Sequence, residues 1–123
     1  MKAILDDRTS IYLQISQSIE DDIFYGVIKE EDPVPSTNQL ARHYKINPAT
    51  AAKGVSLLAD DGIIYKKRGI GMYVKTGAKE IILNKRRLQF EQNFVELLHN
   101  ADTLGITKSE LIKIIKEDDN NAK

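Results

Sequence analysis

Six positions, Lys66-Lys67-Arg68-Gly69-Ile70-Gly71, set three cations beside two glycines with no acid, thiol or imidazole among them. Ammonium and guanidinium groups donate hydrogen bonds to anions, while glycine lets a chain tip take backbone angles closed to other residues and approach another molecule closely. Two further groups share this character. Ser36-Thr37-Asn38 offers hydroxyl and amide donors, and Asn47, Ala49, Thr50 and Lys53 offer an amide, methyls, a hydroxyl and an ammonium within one short stretch. Such groups suit phosphate oxygens and base edges. Catalysis has less to work with: there is no cysteine, His43 and His99 have no ligand set around them, and no glycine-rich phosphate loop is present. The Asp pairs beginning at positions 6, 21, 60 and 118 fall on helix ends or tails, where capping or solvation accounts for them. No catalytic residue, metal or cofactor is expected.

The chain has 123 residues, enough for one compact domain and an appendage. Its 18 basic and 18 acidic residues cancel, yet they are unevenly spread. Residues 1–41 hold three bases against eight acids, whereas residues 42–75 hold seven bases (Arg42, Lys45, Lys53, Lys66, Lys67, Arg68 and Lys75) against Asp60 and Asp61. A neutral total therefore conceals a basic centre, which argues against polyanion binding over the whole surface and for binding at one place. No apolar run approaches the roughly 18 residues of a membrane span, and the N-terminus carries acids where a leader needs an apolar stretch. A soluble cytoplasmic protein without membrane contact is expected.

The elements that would position these residues follow from periodicity. Ile11, Ile15, Ile19 and Ile23 recur every four residues, with Leu13, Phe24 and Tyr25 widening the stripe, so a first helix is predicted over residues 10–25 with Ser10 as cap and Gly26 as stop. The following loop has two prolines and a charge run and should pack Val27, Ile28 and Val34 beneath it. A short second helix starts after Ser36 and turns Leu40, Ala41 and Tyr44 inward. After a tight turn, Asn47 caps a third helix with Pro48 in the first turn, where no N–H is needed; Val55, Leu58 and Ala59 share its inner face, and Gly62 ends it. "IIYKK" and "GMYVK" then flank Arg68-Gly69-Ile70-Gly71 as a β-hairpin. A long amphipathic stretch from about Lys79 to His99, a break at "LGIT", and a capping box of Thr107 and Glu110 predict two more helices before a frayed tail.

Helix, helix, turn, helix and hairpin make a winged helix-turn-helix, so the fold class is mainly α with a small β-hairpin and two C-terminal helices. "SIYLQISQSIEDDIFYGVI", "VPSTNQLARHYKINPATAAKGVSLLADDGII" and "YKKRGIGMYV" together resemble, across residues 10–75, the DNA-binding domain of GntR-type bacterial transcription regulators. The short remainder is similar to the small YtrA-like branch of that family. The resemblance implies a DNA-binding domain over residues 1–76 and a helical dimerisation region over residues 77–123. It also implies a sequence-specific regulator, a repressor of neighbouring genes, that binds an inverted-repeat operator in double-stranded DNA as a homodimer. In that setting Ser36 brings the start of the second helix to a phosphate, and Thr37 and Asn38 donate to phosphates or a base edge. Asn47, Ala49, Thr50 and Lys53 enter the major groove, and Lys67, Arg68, Gly69 and Gly71 form a wing in or beside the minor groove.

Each group also has a blander account. Ser36 and Asn47 could only cap, Thr37 could be solvated, Ala51 suits helix formation, and the hairpin tip could be a solvated loop. Gly54 keeps the third helix slim, either for close approach to a duplex or for tight packing. A winged helix used only for protein contacts is the alternative function; it would show no salt-dependent duplex binding. Many GntR-type domains carry arginine where this chain has Asn38, Pro48 and Ala52, which leaves Lys53 as the sole cation in the first two turns of the third helix. Guanine readout thereby recedes in favour of A·T-rich sites. In the tail, Ile81, Leu88, Phe94, Leu97, Leu98, Leu111, Ile114 and Ile115 are more apolar surface than two short helices can bury alone, so they are expected to join two copies of the chain. The sequence names no small-molecule effector.

Overall fold

The computed structural model describes residue 1 and residues 4–118. Its elements are α1 (Ile11–Phe24), α2 (Thr37–Tyr44), α3 (Pro48–Asp60), β1 (Ile64–Lys67), β2 (Gly71–Val74), α4 (Ala78–Thr103) and α5 (Lys108–Glu117). The tail from residue 119 onward, expected to fray, lies outside the described residues. Two compact units emerge, Met1–Lys85 and Arg86–Lys123.

The first unit is a winged helix-turn-helix. The isoleucine stripe of α1 is buried at Ile15, Ile19 and Ile23 and packs with Leu40, Ala51, Val55, Leu58, Ile63 and Val74 into one core. Ile11, Phe24, Ile28 and Tyr44 lean against its edge. Four residues expected in this core are instead exposed: Leu13, Tyr25, Val27 and Ala59. Leu13 stands two positions before Ile15 and points to the far side of the helix, and Ala59 stands one position past Leu58 and is turned away from it. Tyr25 and Val27 flank Gly26, whose φ of +80° swings the chain off the end of α1. Ser10 occupies the cap position of α1, although its side chain makes no capping hydrogen bond.

Gly54 is buried where α3 crosses α1. A Cβ there would stand 2.7 Å from the Tyr12 carbonyl oxygen and 3.2 Å from Ile15. Tight packing, and not approach to a ligand, therefore explains this glycine.

In the antiparallel hairpin Ile64 faces Val74 and Lys67 faces Gly71. The preceding loop adds an unforeseen third edge: Pro33 bridges to Tyr73, Val34 N–H donates to Met72, and Glu31 N–H and Asp32 C=O both pair with Val74. Pro33 and Pro35 are tolerated there because an edge needs no further donor on its outer side. Glu30 accepts the backbone N–H groups of Gly77 (3.0 Å) and Lys79 (3.2 Å), which are unpaired donors at the start of α4. The acidic run of this loop thus caps a helix almost fifty residues away. The first turns of α4 belong to the same core through Ala78 and Ile82, and Lys85 Nζ reaches buried Glu20 (2.6 Å) and Asp61 (3.1 Å). Burial works against the Lys85 ammonium, but the two carboxylates outweigh it and raise its pKa.

The second unit holds the rest of α4 and α5. Gly105, with φ +73°, turns the chain between them, and Thr107 with Glu110 closes the expected capping box.

Candidate nucleic-acid interface

At the start of α2, Ser36 Oγ accepts the Gln39 N–H (3.1 Å) and Gln39 Oε1 accepts the Ser36 N–H (2.8 Å). This box satisfies its own two donors and leaves the backbone N–H groups of Thr37 and Asn38, which have no partner within a helix, for an acceptor from outside. Ser36 and Asn38 are exposed and Thr37 is half-buried. Lys45, in the left-handed region at φ 55°, ends α2 and turns the chain into α3.

Asn47 Oδ1 accepts the Ala49 N–H at 2.8 Å and Pro48 occupies the first turn, as the spacing predicts. The carboxamide oxygen is thereby committed to the cap. A bidentate contact to adenine would compete with it, whereas the amide NH2 donates outward without loss. Ala49 and Lys53 are exposed, Thr50 is half-buried, and Ala51 is fully buried, so one face of these turns looks outward while the opposite face fills the core. Lys53 Nζ lies 4.0 Å from the centroid of the Tyr12 ring.

The hairpin tip turns through Gly69 (φ +75°) and Gly71 (φ +128°), angles that a side chain would strain, with Ile70 N–H donating to Lys67 C=O. Arg68 is exposed, and Lys67 is half-buried with its Nζ 4.3 Å over the Tyr73 ring. Beneath the wing, Tyr65 O–H and Thr76 O–H each donate to Glu31 at 2.6 Å. Hydrogen bonds from Thr76 first and Tyr65 second hold the Glu31 carboxyl below its ordinary range, and the same bond to Glu31 raises the Tyr65 pKa.

Sequence reasoning missed Tyr12, Tyr73 and Glu31. Tyr73 was within reach of it, since the hairpin register places Lys67 diagonally across from Tyr73. Tyr12 and Glu31 meet their partners only through tertiary folding.

In the second unit Leu88, Phe94, Leu97, Leu98, Ile114 and Ile115 are exposed and Leu111 is half-buried. Ile81 lies elsewhere, half-buried against the core of the first unit. Among the described residues no helix is long and apolar enough to cross a membrane.

Residues 11–74 match the model of the bacterial regulatory proteins of the gntR family. The HTH-type transcriptional repressor YtrA of Bacillus subtilis is 31% identical over 92% of this chain and 88% of its own. The crystal structure of a GntR-family transcriptional regulator from Bacteroides thetaiotaomicron, 35% identical, superposes with a TM-score of 0.75 over 92% of this chain and 99% of that one. The DNA-binding domain of AraR in complex with its operator ORX1 shares the fold alone, at 23% identity and a TM-score of 0.52 over 60% of this chain and 95% of that one.

Proposed function

This chain belongs to the GntR family of bacterial regulatory proteins, DNA-binding regulators of transcription and not enzymes, and we propose that it is a repressor that binds an inverted-repeat operator as a homodimer. The observation that carries the reading is the division of labour along α2, α3 and the hairpin. Leu40, Ala51, Leu58 and Val74 are buried, while Ser36, Asn38, Asn47, Ala49, Lys53 and Arg68 on or beside the same elements are exposed and carry donors, a methyl or cations, and exposed Gly69 and Gly71 shape the tip between the strands. Thr50, half-buried, adds a methyl and a hydroxyl at the groove-facing start of α3.

The capped start of α2 gives register on phosphates, the first turns of α3 read base edges, and the wing supplies charge beside a narrow minor groove. With Lys53 the one cation early in α3, A·T-rich half-sites are favoured. Repression is the role named for the Bacillus subtilis relative.

Support for the dimer comes from the second unit, whose exposed Phe94, Leu97, Leu98, Ile114 and Ile115 form more apolar surface than a small monomer keeps in water. Two copies related by a two-fold axis would cover it and carry two α3 helices to two half-sites. The test is selection of duplexes from a random-sequence library by the full-length protein. Enriched sequences should be A·T-rich inverted repeats with half-sites about one helical turn apart, or a multiple of that. Enrichment of no sequence, or of a single unrepeated site, would refute the reading.

A further inference from the structure

Tyr12 lies outside the residues discussed as DNA contacts, yet its ring sits beside the Lys53 ammonium, 4.0 Å from Nζ to the ring centroid. Tyr12 is half-buried on α1 and Lys53 is exposed on α3, so the ring is the fixed partner and the lysine the mobile one. The neighbouring position fixes the two helices at this point. Gly54 follows Lys53, and a Cβ on it would come within 2.7 Å of the Tyr12 carbonyl oxygen. Ile15, one turn further along α1, is fully buried against the same place. The backbone of Tyr12 therefore cannot slide along α3, and its ring is held next to the sole cation in the first two turns of that helix.

We propose that Tyr12 is a positioning residue of the DNA interface, whose ring holds the Lys53 ammonium where a DNA phosphate meets it. The inference rests on the DNA-binding reading above. An aromatic face attracts an ammonium through its quadrupole and takes up at most part of the ammonium's three-donor capacity, so N–H groups remain for phosphate oxygens. A lysine already ordered by the ring loses less rotamer freedom when it meets the phosphate.

Binding of the full-length protein is measured by fluorescence anisotropy on two labelled probes, a duplex selected from the random library and a duplex of random sequence. Tyr12→Leu should weaken both by roughly two- to fivefold per subunit, the strength of an exposed cation–π contact. Tyr12→Phe, which keeps the ring and loses the hydroxyl, should restore parental affinity. In a Lys53→Ala background Tyr12→Leu should cost nothing further. Tyr12→Met, an apolar chain of greater length, is read in the same way if Tyr12→Leu lowers the thermal midpoint.

Three results would overturn the proposal. Tyr12→Phe binding as weakly as Tyr12→Leu would make the hydroxyl itself the contact, and an undiminished cost of Tyr12→Leu without Lys53 would make the ring a packing element. Tighter binding by Tyr12→Leu would mean that the ring withholds the lysine from DNA. Failure of the parental chain to bind either probe would instead strike the DNA-binding reading.

Discussion

Lys67 and Arg68 carry the same charge into different surroundings, one half-buried over a tyrosine ring and the other open to solvent. Arg68→Ala should lower the slope of log K against log salt by about one unit per subunit on selected and random duplexes alike, because phosphate neutralisation is blind to sequence. An added penalty when A·T steps under the wing are changed to G·C would place the guanidinium in the minor groove. Thr50→Ala tests readout instead of charge. Its loss should cost about 1–3 kcal/mol on the selected duplex and little on the random one, measured as the difference between two titrations. Glu31 governs the support of the wing. Its carboxyl is held below the ordinary range by Thr76 and Tyr65, so the charged form stabilises the fold above the ordinary glutamate pKa, and that contribution fades as pH falls through the lowered value. Glu31→Gln should therefore be less stable than the parent to denaturant at neutral pH, with the gap closing in acid.

Among the elements, the α1–α3 crossing and the wing tip use glycine for opposite reasons. Gly54→Ala would gain about 1 kcal/mol of helix propensity, but its Cβ would meet the backbone oxygen of Tyr12, and overpacking of this kind costs about 1–3 kcal/mol. A lower thermal midpoint is the expected outcome. Gly69 has open space around it and a φ of +75°, so Gly69→Val meets no clash and is penalised by its backbone angle alone. Duplex binding should fall while far-ultraviolet circular dichroism shows the helices intact and every cation remains. Helix boundaries were legible in the sequence because their signals are local: Ser36, Asn47, Thr107 and Gly105 act through neighbours within a few positions. Which apolar residues lie inside was less so, since Leu13 and Ala59 differ from their buried neighbours only in the direction they face.

For the molecule as a whole, the proposed dimer is best tested without truncation. Cutting the chain after Lys75 would remove Ala78 and Ile82 from the core of the first unit, the Lys85 bridge to Glu20, and the N–H groups that Glu30 accepts. Leu97→Asp combined with Ile114→Asp leaves those contacts in place. The full-length variant should sediment as a monomer at concentrations where the parent is a dimer, and should bind the selected duplex far more weakly. A parental chain that itself sediments as a monomer would end the dimer proposal.

Sequence alone determined what short-range physics can encode: the order of helices and hairpin, their caps and glycine turns, the basic centre hidden in a neutral chain, and the motifs that carry the family. Tertiary structure decided whatever depends on residues far apart in the chain. It assigned Gly54 to packing, split the apolar stretch of α4 so that Ala78 and Ile82 complete the first core while Leu97 and Leu98 stay exposed, and gave two glutamates of a charged loop distant partners, Glu30 at the start of α4 and Glu31 beneath the wing. Glu31 meets Thr76 across 45 positions, and Tyr12 meets Lys53 only because α1 and α3 cross at a glycine. Periodicity reports which face of an element is apolar, but the partner of that face is set by how the elements pack, and no local pattern carries that information.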